Sequence, residues 1–133
     1  MADDAIVLVD VADWPLVLLT YAGSPSEAQL SAHLREIEEK VLARKQAFVQ
    51  VIDQSHGEMP DALQRRLIVD HQTRMDAVYR RYCRGEVYVV APKNRGAMIA
   101  VFWMAKPAYP YTFVDTLDEA LSWARARLQE QKA

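Results

Sequence analysis

The stretch from Tyr82 to Leu128 switches repeatedly between extended and helical patterning, and that alternation narrows the fold more than any other feature. Glu86-Val-Tyr-Val-Val-Ala91 is β-branched and aromatic, and Pro92-Lys-Asn-Arg-Gly96 interrupts it. Met98 to Met104 is almost wholly apolar, and Tyr109 to Val114 is a second extended run. Thr116-Leu-Asp-Glu119 then reads as a capping box, in which a hydroxyl and a carboxylate satisfy free N–H groups at a helix start. Leu117, Leu121, Ala124 and Leu128 continue it as one apolar stripe. Strands alternating with helices imply an α/β architecture, because each element buries its apolar face only against the other kind.

The upstream half repeats the theme. Ala5 to Val11 and Leu16 to Tyr21 are apolar runs separated by Ala12-Asp13-Trp14-Pro15, a spacing suited to an antiparallel hairpin with Pro15 at the start of its second strand. Ser24, Pro25 and Glu27 together predict a helix start, with Ser24 as cap and Glu27 completing a capping box. Leu30, Leu34, Ile37 and Val41 form the buried stripe of that helix, which should end near Lys45. Ala47 to Ile52 reads as a short buried strand ending at Asp53, and Gln54-Ser55-His56-Gly57-Glu58 as a polar loop. A long helix follows from Pro60 to Tyr82, with Leu63, Leu67, His71, Met75, Val78 and Tyr82 on one face. The expected fold is therefore α/β: a single mixed β-sheet opened by an antiparallel hairpin, with four helices in the order ββαβαβαβα. Residues 1–133 read as one domain, without repeats or linkers.

Composition excludes several classes. With 133 residues, 51% hydrophobic and 26% charged, the chain is ordinary for a globular domain. At this length about 68% of the unfolded surface can be buried without disulfides or metals. A net charge of −2 lacks the basic excess of a nucleic-acid binder, so no nucleic acid is expected as partner. Cys83 is the only cysteine, which precludes an internal disulfide and fits a reducing compartment. Met1-Ala-Asp-Asp places acid where a secretory leader needs base, and no apolar run approaches the ~18 residues of a membrane span. A cytoplasmic protein without integral membrane association is the expectation.

Several segments resemble a known family. Trp14-Pro-Leu-Val-Leu-Leu-Thr-Tyr-Ala-Gly23, Val51-Ile-Asp53, Arg81-Tyr-Cys-Arg-Gly85, Asn94-Arg-Gly96, Phe102-Trp103, Pro107-Ala-Tyr-Pro110 and Thr116-Leu-Asp-Glu-Ala-Leu-Ser-Trp-Ala124 are similar to landmarks of the SpoIIAA-like (STAS/SEC14-type) domains, relatives of the anti-anti-sigma factor STAS domains. The resemblance spans nearly the whole chain and rests mostly on structural landmarks. It implies a non-enzymatic regulatory module that acts by binding another protein. Regulatory members carry an Asp-Ser-Ser-Gly type loop whose serine is a phosphorylation switch. Here the corresponding region reads Asp53-Gln-Ser-His-Gly57 followed by Pro60-Asp61, so the switch pattern is only approximate, and Asp61 stands where it can supply permanent negative charge at the start of the next helix.

The candidate chemistry is sparse. Asp53, Ser55, His56 and Asp61 make a loop that reads either as a plain connection or as a partner-facing switch at the C-terminal edge of a strand. Ser55 and His56 are sequence neighbours on an extended loop and point apart, so they form no nucleophile-base pair. His71 reads as a core histidine bonded to a backbone carbonyl or, because imidazole titrates near neutrality, as a pH-sensing or ligand-contacting group. His33, His56 and Cys83 show no ligand spacing, so no metal and no cofactor are expected. The arginines from Arg65 to Arg84 scatter around a helix and read as a solvated face. Asn94, Arg95 and Gly96, between a strand and a helix start, offer an anion or ligand contact through free N–H groups. Phe102 and Trp103 lie in a helix apolar on every side, which must be covered by the domain, by a homodimer or partner interface, or by an apolar, lipid-like ligand. The last gives the alternative function, a carrier or sensor of such a ligand.

Overall fold

A computed structural model describes residues 5–105, 107 and 109–132, with the side chains of 101–105 and 131–132 outside the description. The elements are β1 (Ile6–Asp10), β2 (Leu16–Gly23), α1 (Glu27–Lys40), a short 3-10 turn (Leu42–Arg44), β3 (Phe48–Gly57), α2 (Ala62–Tyr82), β4 (Cys83–Val89), α3 (Pro92–Ala105), β5 (Tyr111–Val114) and α4 (Leu117–Lys132). The five strands form one sheet in the order β1-β2-β3-β4-β5. β1 and β2 are antiparallel, and every other neighbouring pair is parallel. The α/β class, the opening hairpin, the four helices and the element order are those the sequence predicts.

The strand order fixes where the helices lie. Successive parallel strands step in one direction across the sheet, so helices joining them by crossovers of one hand all fall on one face. The core shows this division. Val17, Leu19, Phe48, Ile52, Tyr88 and Val90 pack with Leu30, Leu34 and Ile37 of α1, Tyr79 of α2 and Met98 of α3. On the opposite face Leu16, Val49, Val51, Val87 and Val89 pack with Ala120 and Ala124 of α4 alone. Side chains alternate along each strand, so one run of residues feeds both cores. Gly85 lets α4 approach closely, because a Cβ there would lie 2.8 Å from the Trp123 ring.

Several boundaries differ from the sequence reading. α1 is capped by Ser26, whose hydroxyl accepts from the Gln29 N–H while the Gln29 side chain accepts from the Ser26 N–H. Ser24 and Glu27 therefore do not form the box: two overlapping Ser-x-x-polar patterns start two residues apart, and the chain uses the second. β3 continues to Gly57, because Ala22 and Gly23 of β2 extend far enough to pair with His56 and Gly57. Pro92 begins α3 rather than a connecting segment that runs to Gly96, in the first-turn position where proline suits a helix. Leu63 is 55% exposed and lies outside the buried stripe of α2. Gln64 and Tyr79 are buried with His71 instead, so the stripe is rotated toward the residue that follows Leu63.

Candidate functional site

β3, β4 and β5 run parallel, so their C-terminal ends share one edge of the sheet. Asp53, Ser55 and His56 occupy the end of β3. Asp53 and Ser55 are two residues apart on a strand and share a face. Ser55 donates from its hydroxyl to Asp53 Oδ1 at 2.6 Å and from its N–H to the same oxygen at 3.1 Å. The hydroxyl is therefore oriented by a carboxylate, while His56 next to it is exposed. Asp61 is the N-cap of α2 rather than a first-turn residue. Its carboxylate accepts from the Gln64 N–H at 2.8 Å, and Gln64 Oε1 accepts from the Asp61 N–H at 2.9 Å. Gln64 also donates to the Pro25 carbonyl at 2.5 Å, and the Glu58 N–H to that of Gly23 at 3.0 Å. The segment entering α1 and the segment entering α2 are thus tied together. They flank a small open recess beside Tyr21 and Gln54.

Asn94, Arg95 and Gly96 lie inside α3, not before it. The Asn94 N–H is already bonded to the Ala91 carbonyl at 2.9 Å, and the Arg95 guanidinium pairs with Asp115 just after β5. Gly96 is exposed. Arg95 so closes an ion pair between α3 and the start of α4 instead of presenting an open charge. The side chains of Phe102 and Trp103 lie outside the described residues.

Glu86, Gln50 and Glu38, which sequence reasoning passed over, lie with His71 and His33 under α1 and α2. Glu86 is 1% exposed, accepts from Gln50 Nε2 at 2.5 Å and from the Tyr88 hydroxyl at 2.8 Å, and is also bonded by Tyr109. Burial raises its acid ionisation above the ordinary carboxylate value, and those hydrogen bonds oppose the shift. His71 is buried as expected, but its partners are side chains. Nδ1 lies 2.8 Å from Glu38 Oε2 and Nε2 2.8 Å from the Tyr79 hydroxyl. Arg74 grips the same Glu38 carboxylate with two guanidinium nitrogens, at 3.1 and 3.2 Å. His33 contacts the Tyr21 hydroxyl at 2.6 Å, and burial lowers its pKa to about 4. One signal for this cluster was present in the sequence: Gln50 and Glu86 interrupt the otherwise apolar strands Phe48-Val-Gln-Val-Ile52 and Glu86-Val-Tyr-Val-Val90. A strand with both faces covered admits such a residue only when it is hydrogen-bonded.

A crystal structure of an uncharacterised DUF3478-family protein from Shewanella loihica PV-4, itself of SpoIIAA-like fold, superimposes with a TM-score of 0.68. The match covers 90% of this chain and 93% of that one at 10% identity. The chain has the SpoIIAA-like fold. An anti-sigma factor antagonist from Mycobacterium paratuberculosis shares it, with a TM-score of 0.57 and 19% identity over 92% of this chain and 96% of that one. No family model and no curated protein sequence matches the chain. In this SpoIIAA-like frame, Asp53 to Asp61 lies at the C-terminal edge of the parallel strands, where open α/β sheets place their sites. Among the described residues no helix is long and apolar enough to cross a membrane.

Proposed function

We propose that residues 1–133 form one regulatory domain that works without catalysis, by binding another protein through the edge formed by Asp53, Ser55, His56 and Asp61. The observation that carries this reading is the Ser55 hydroxyl held on Asp53 beside an exposed imidazole, on a strand end braced against the starts of α1 and α2. A rigid edge of that kind presents polar groups in one geometry and loses little entropy on binding. The likeness to an anti-sigma factor antagonist supports a partner of the regulatory-protein kind, while the single cysteine and the net charge of −2 favour a cytoplasmic setting without nucleic acid. The recess between α1 and α2, of about 310 Å³, is lined by Arg35, Glu38, Asp70 and Arg74, which is not the apolar lining that a lipid-like cargo needs.

Affinity capture from the native cells, with the wild-type chain and the variants Ser55→Asp and His56→Ala, tests the reading. Loss of a captured protein from both variants, with folding retained, is the expected result. Retention of every partner by both variants sinks it.

A further inference from the structure

A continuous run of side-chain contacts crosses the interior from the α1–α2 recess to the centre of the sheet. It begins at Arg74 and Glu38, passes through both ring nitrogens of His71 to the Tyr79 hydroxyl, reaches the Gln50 amide that lies against that phenol, and ends at Glu86. Its outer end meets solvent, since the recess is lined by Glu38, Arg74 and Asp70. The inner end is sealed, with Gln50 and Glu86 each 1% exposed. One atom is left over: the buried carbonyl oxygen of Gln50, Oε1, has no hydrogen-bond partner. A buried acceptor without a donor is rare and costly, so it calls for a reason.

We propose that His71 is a proton-operated latch with two hydrogen-bonding patterns, and that the choice between them passes through Tyr79 and the Gln50 amide to Glu86. In the first pattern His71 is neutral. Its Nδ1–H donates to Glu38, which as a carboxylate only accepts, and Nε2 accepts the Tyr79 hydroxyl proton. Tyr79 is then committed to His71, Gln50 donates its N–H to Glu86, and Oε1 is idle. In the second pattern His71 takes a proton from water in the recess and donates from Nε2 to the Tyr79 oxygen. The Tyr79 hydroxyl proton then needs another acceptor, and the Gln50 carboxamide supplies one by turning its oxygen inward. That turn withdraws the N–H from Glu86, which takes up a second proton admitted by local opening of the fold, since no solvent reaches it in the closed state, and donates it to the same Gln50 oxygen. Two protons enter, no covalent bond other than N–H and O–H changes, and the imidazolium is balanced by Glu38.

The neighbours set the balance between the patterns. His71 is faced by Glu38 and His33 from α1 and by Arg74 and Tyr79 from α2, and Glu36 acts on His33. Glu86 is faced by Gln50 from β3, Tyr88 and Cys83 from β4, Tyr79 from α2, Tyr109 from before β5 and Tyr21 from β2. Burial and Arg74 favour neutral His71, and Glu38 favours the charged form. Glu38 belongs to α1, His71 and Tyr79 to α2, and Gln50 to β3, so the latch joins the two helices to the strand that carries Asp53 and Ser55. It stands whether or not that edge binds a protein.

The test is a titration of the full chain, isotope-labelled at histidine nitrogens and glutamate carboxyl carbons, followed by NMR from about pH 8 to about pH 4, the range in which an imidazole changes charge. The expected result is one transition in which His71 passes from the Nδ1–H tautomer to imidazolium while the Glu86 carboxyl and Tyr79 ring signals move with it. Glu38→Gln should lower the proton affinity of His71 about tenfold, moving that transition about one pH unit down. Tyr79→Phe should leave His71 titrating while Glu86 no longer follows. The proposal is overturned if His71 titrates with Glu86 unmoved, if it stays neutral until the chain unfolds, or if the transition is indifferent to Glu38→Gln. Should Tyr79→Phe not fold, the wild-type and Glu38→Gln titrations decide alone, because Glu38 lies at the recess and not in the core.

Discussion

Glu86 and Val87 are neighbours on β4 that point to opposite faces of the sheet, and they meet opposite chemistries. Under α4, Val87 is enclosed by valines, leucine and two alanines. Under α1 and α2, Glu86 is enclosed by an amide and three tyrosines. Among the described residues, the buried polar ones, His33, Gln50, Gln64, His71 and Glu86, all belong to that second side. A dry face is stabilised by area and shape, and tolerates any apolar group of the right volume. The polar face gains little net stability from each hydrogen bond but loses much when one partner is removed, so it demands a single arrangement. The difference assigns tolerance of apolar exchange to the α4 side and a single side-chain arrangement to the α1–α2 side.

The largest expected effect attacks the polar face. Glu86→Leu keeps the side chain bulky and makes it apolar, but strands the donors of Gln50, Tyr88 and Tyr109. Each stranded donor costs on the order of 1–3 kcal/mol, so a loss of about 4 kcal/mol is expected in urea unfolding, after the apolar gain is deducted. An unchanged midpoint would erase the contrast between the faces. The dry face breaks differently. Gly85→Ala puts a methyl group against the Trp123 ring and should cost about 2 kcal/mol by overpacking. If the loss is negligible, α4 has room to slide and the face is less tightly packed than its contacts indicate.

Acid and base should expose the polar face selectively. Glu86 ionises above the ordinary value of 4.5 in the fold, so the unfolded chain gives up this proton first as pH rises. The stability it contributes is full below about pH 4.5 and is lost as pH climbs through the folded value, by up to about 1.4 kcal/mol per pH unit. His33 acts in the other direction. Its pKa falls from 6.5 to about 4, so its contribution is full above pH 6.5 and is lost as pH drops toward about 4. Glu86→Gln should therefore flatten the alkaline limb of the stability profile and leave the acid limb in place. Thermal unfolding across pH checks this, and a profile unchanged by the substitution would place the titrating group elsewhere.

The same division explains what was legible in the sequence. The α4 side reads directly, because Val49, Val51, Val87, Val89 and the stripe Leu117, Leu121, Ala124, Leu128 obey simple periods. The order of elements followed from those periods and from punctuation at Pro25, Pro60, Pro92 and Thr116. The polar face was half visible: His71 appeared on a buried stripe, but its partner Glu38 stands in the charged run Arg35-Glu-Ile-Glu-Glu-Lys40, where nothing in the pattern singles it out. A period states which way a side chain points, not which residue of another element meets it across the core. Leu63 failed for a related reason, since the buried capping residue Gln64 turns α2 away from the apolar stripe that its sequence suggests. At the end of β3, the pairing of Ser55 with Asp53 depended on the strand running to Gly57, and that length is set by β2 rather than by β3 itself.

The smallest expected effect compares the two caps that brace this edge. Ser26 and Asp61 each open a capping box completed by a glutamine, Gln29 and Gln64. By cap chemistry alone, Ser26→Ala and Asp61→Ala should each cost about 1 kcal/mol. The boxes are not equivalent, however, because Gln64 is 5% exposed and its amide also holds the Pro25 carbonyl, whereas Gln29 serves only its own helix. Asp61→Ala leaves the Gln64 backbone N–H without its carboxylate acceptor and so unsettles the residue whose amide ties the two entering segments, and it should cost more than Ser26→Ala by a few tenths of a kcal/mol. Backbone amide exchange resolves so small a gap. In Asp61→Ala, protection should fall at both Glu58 and Leu30, whose N–H groups bond to Gly23 and Ser26. In Ser26→Ala it should fall at Leu30 alone. Equal patterns in the two variants would mean that the edge is two independent helix starts, and that the rigidity ascribed to it comes from β3.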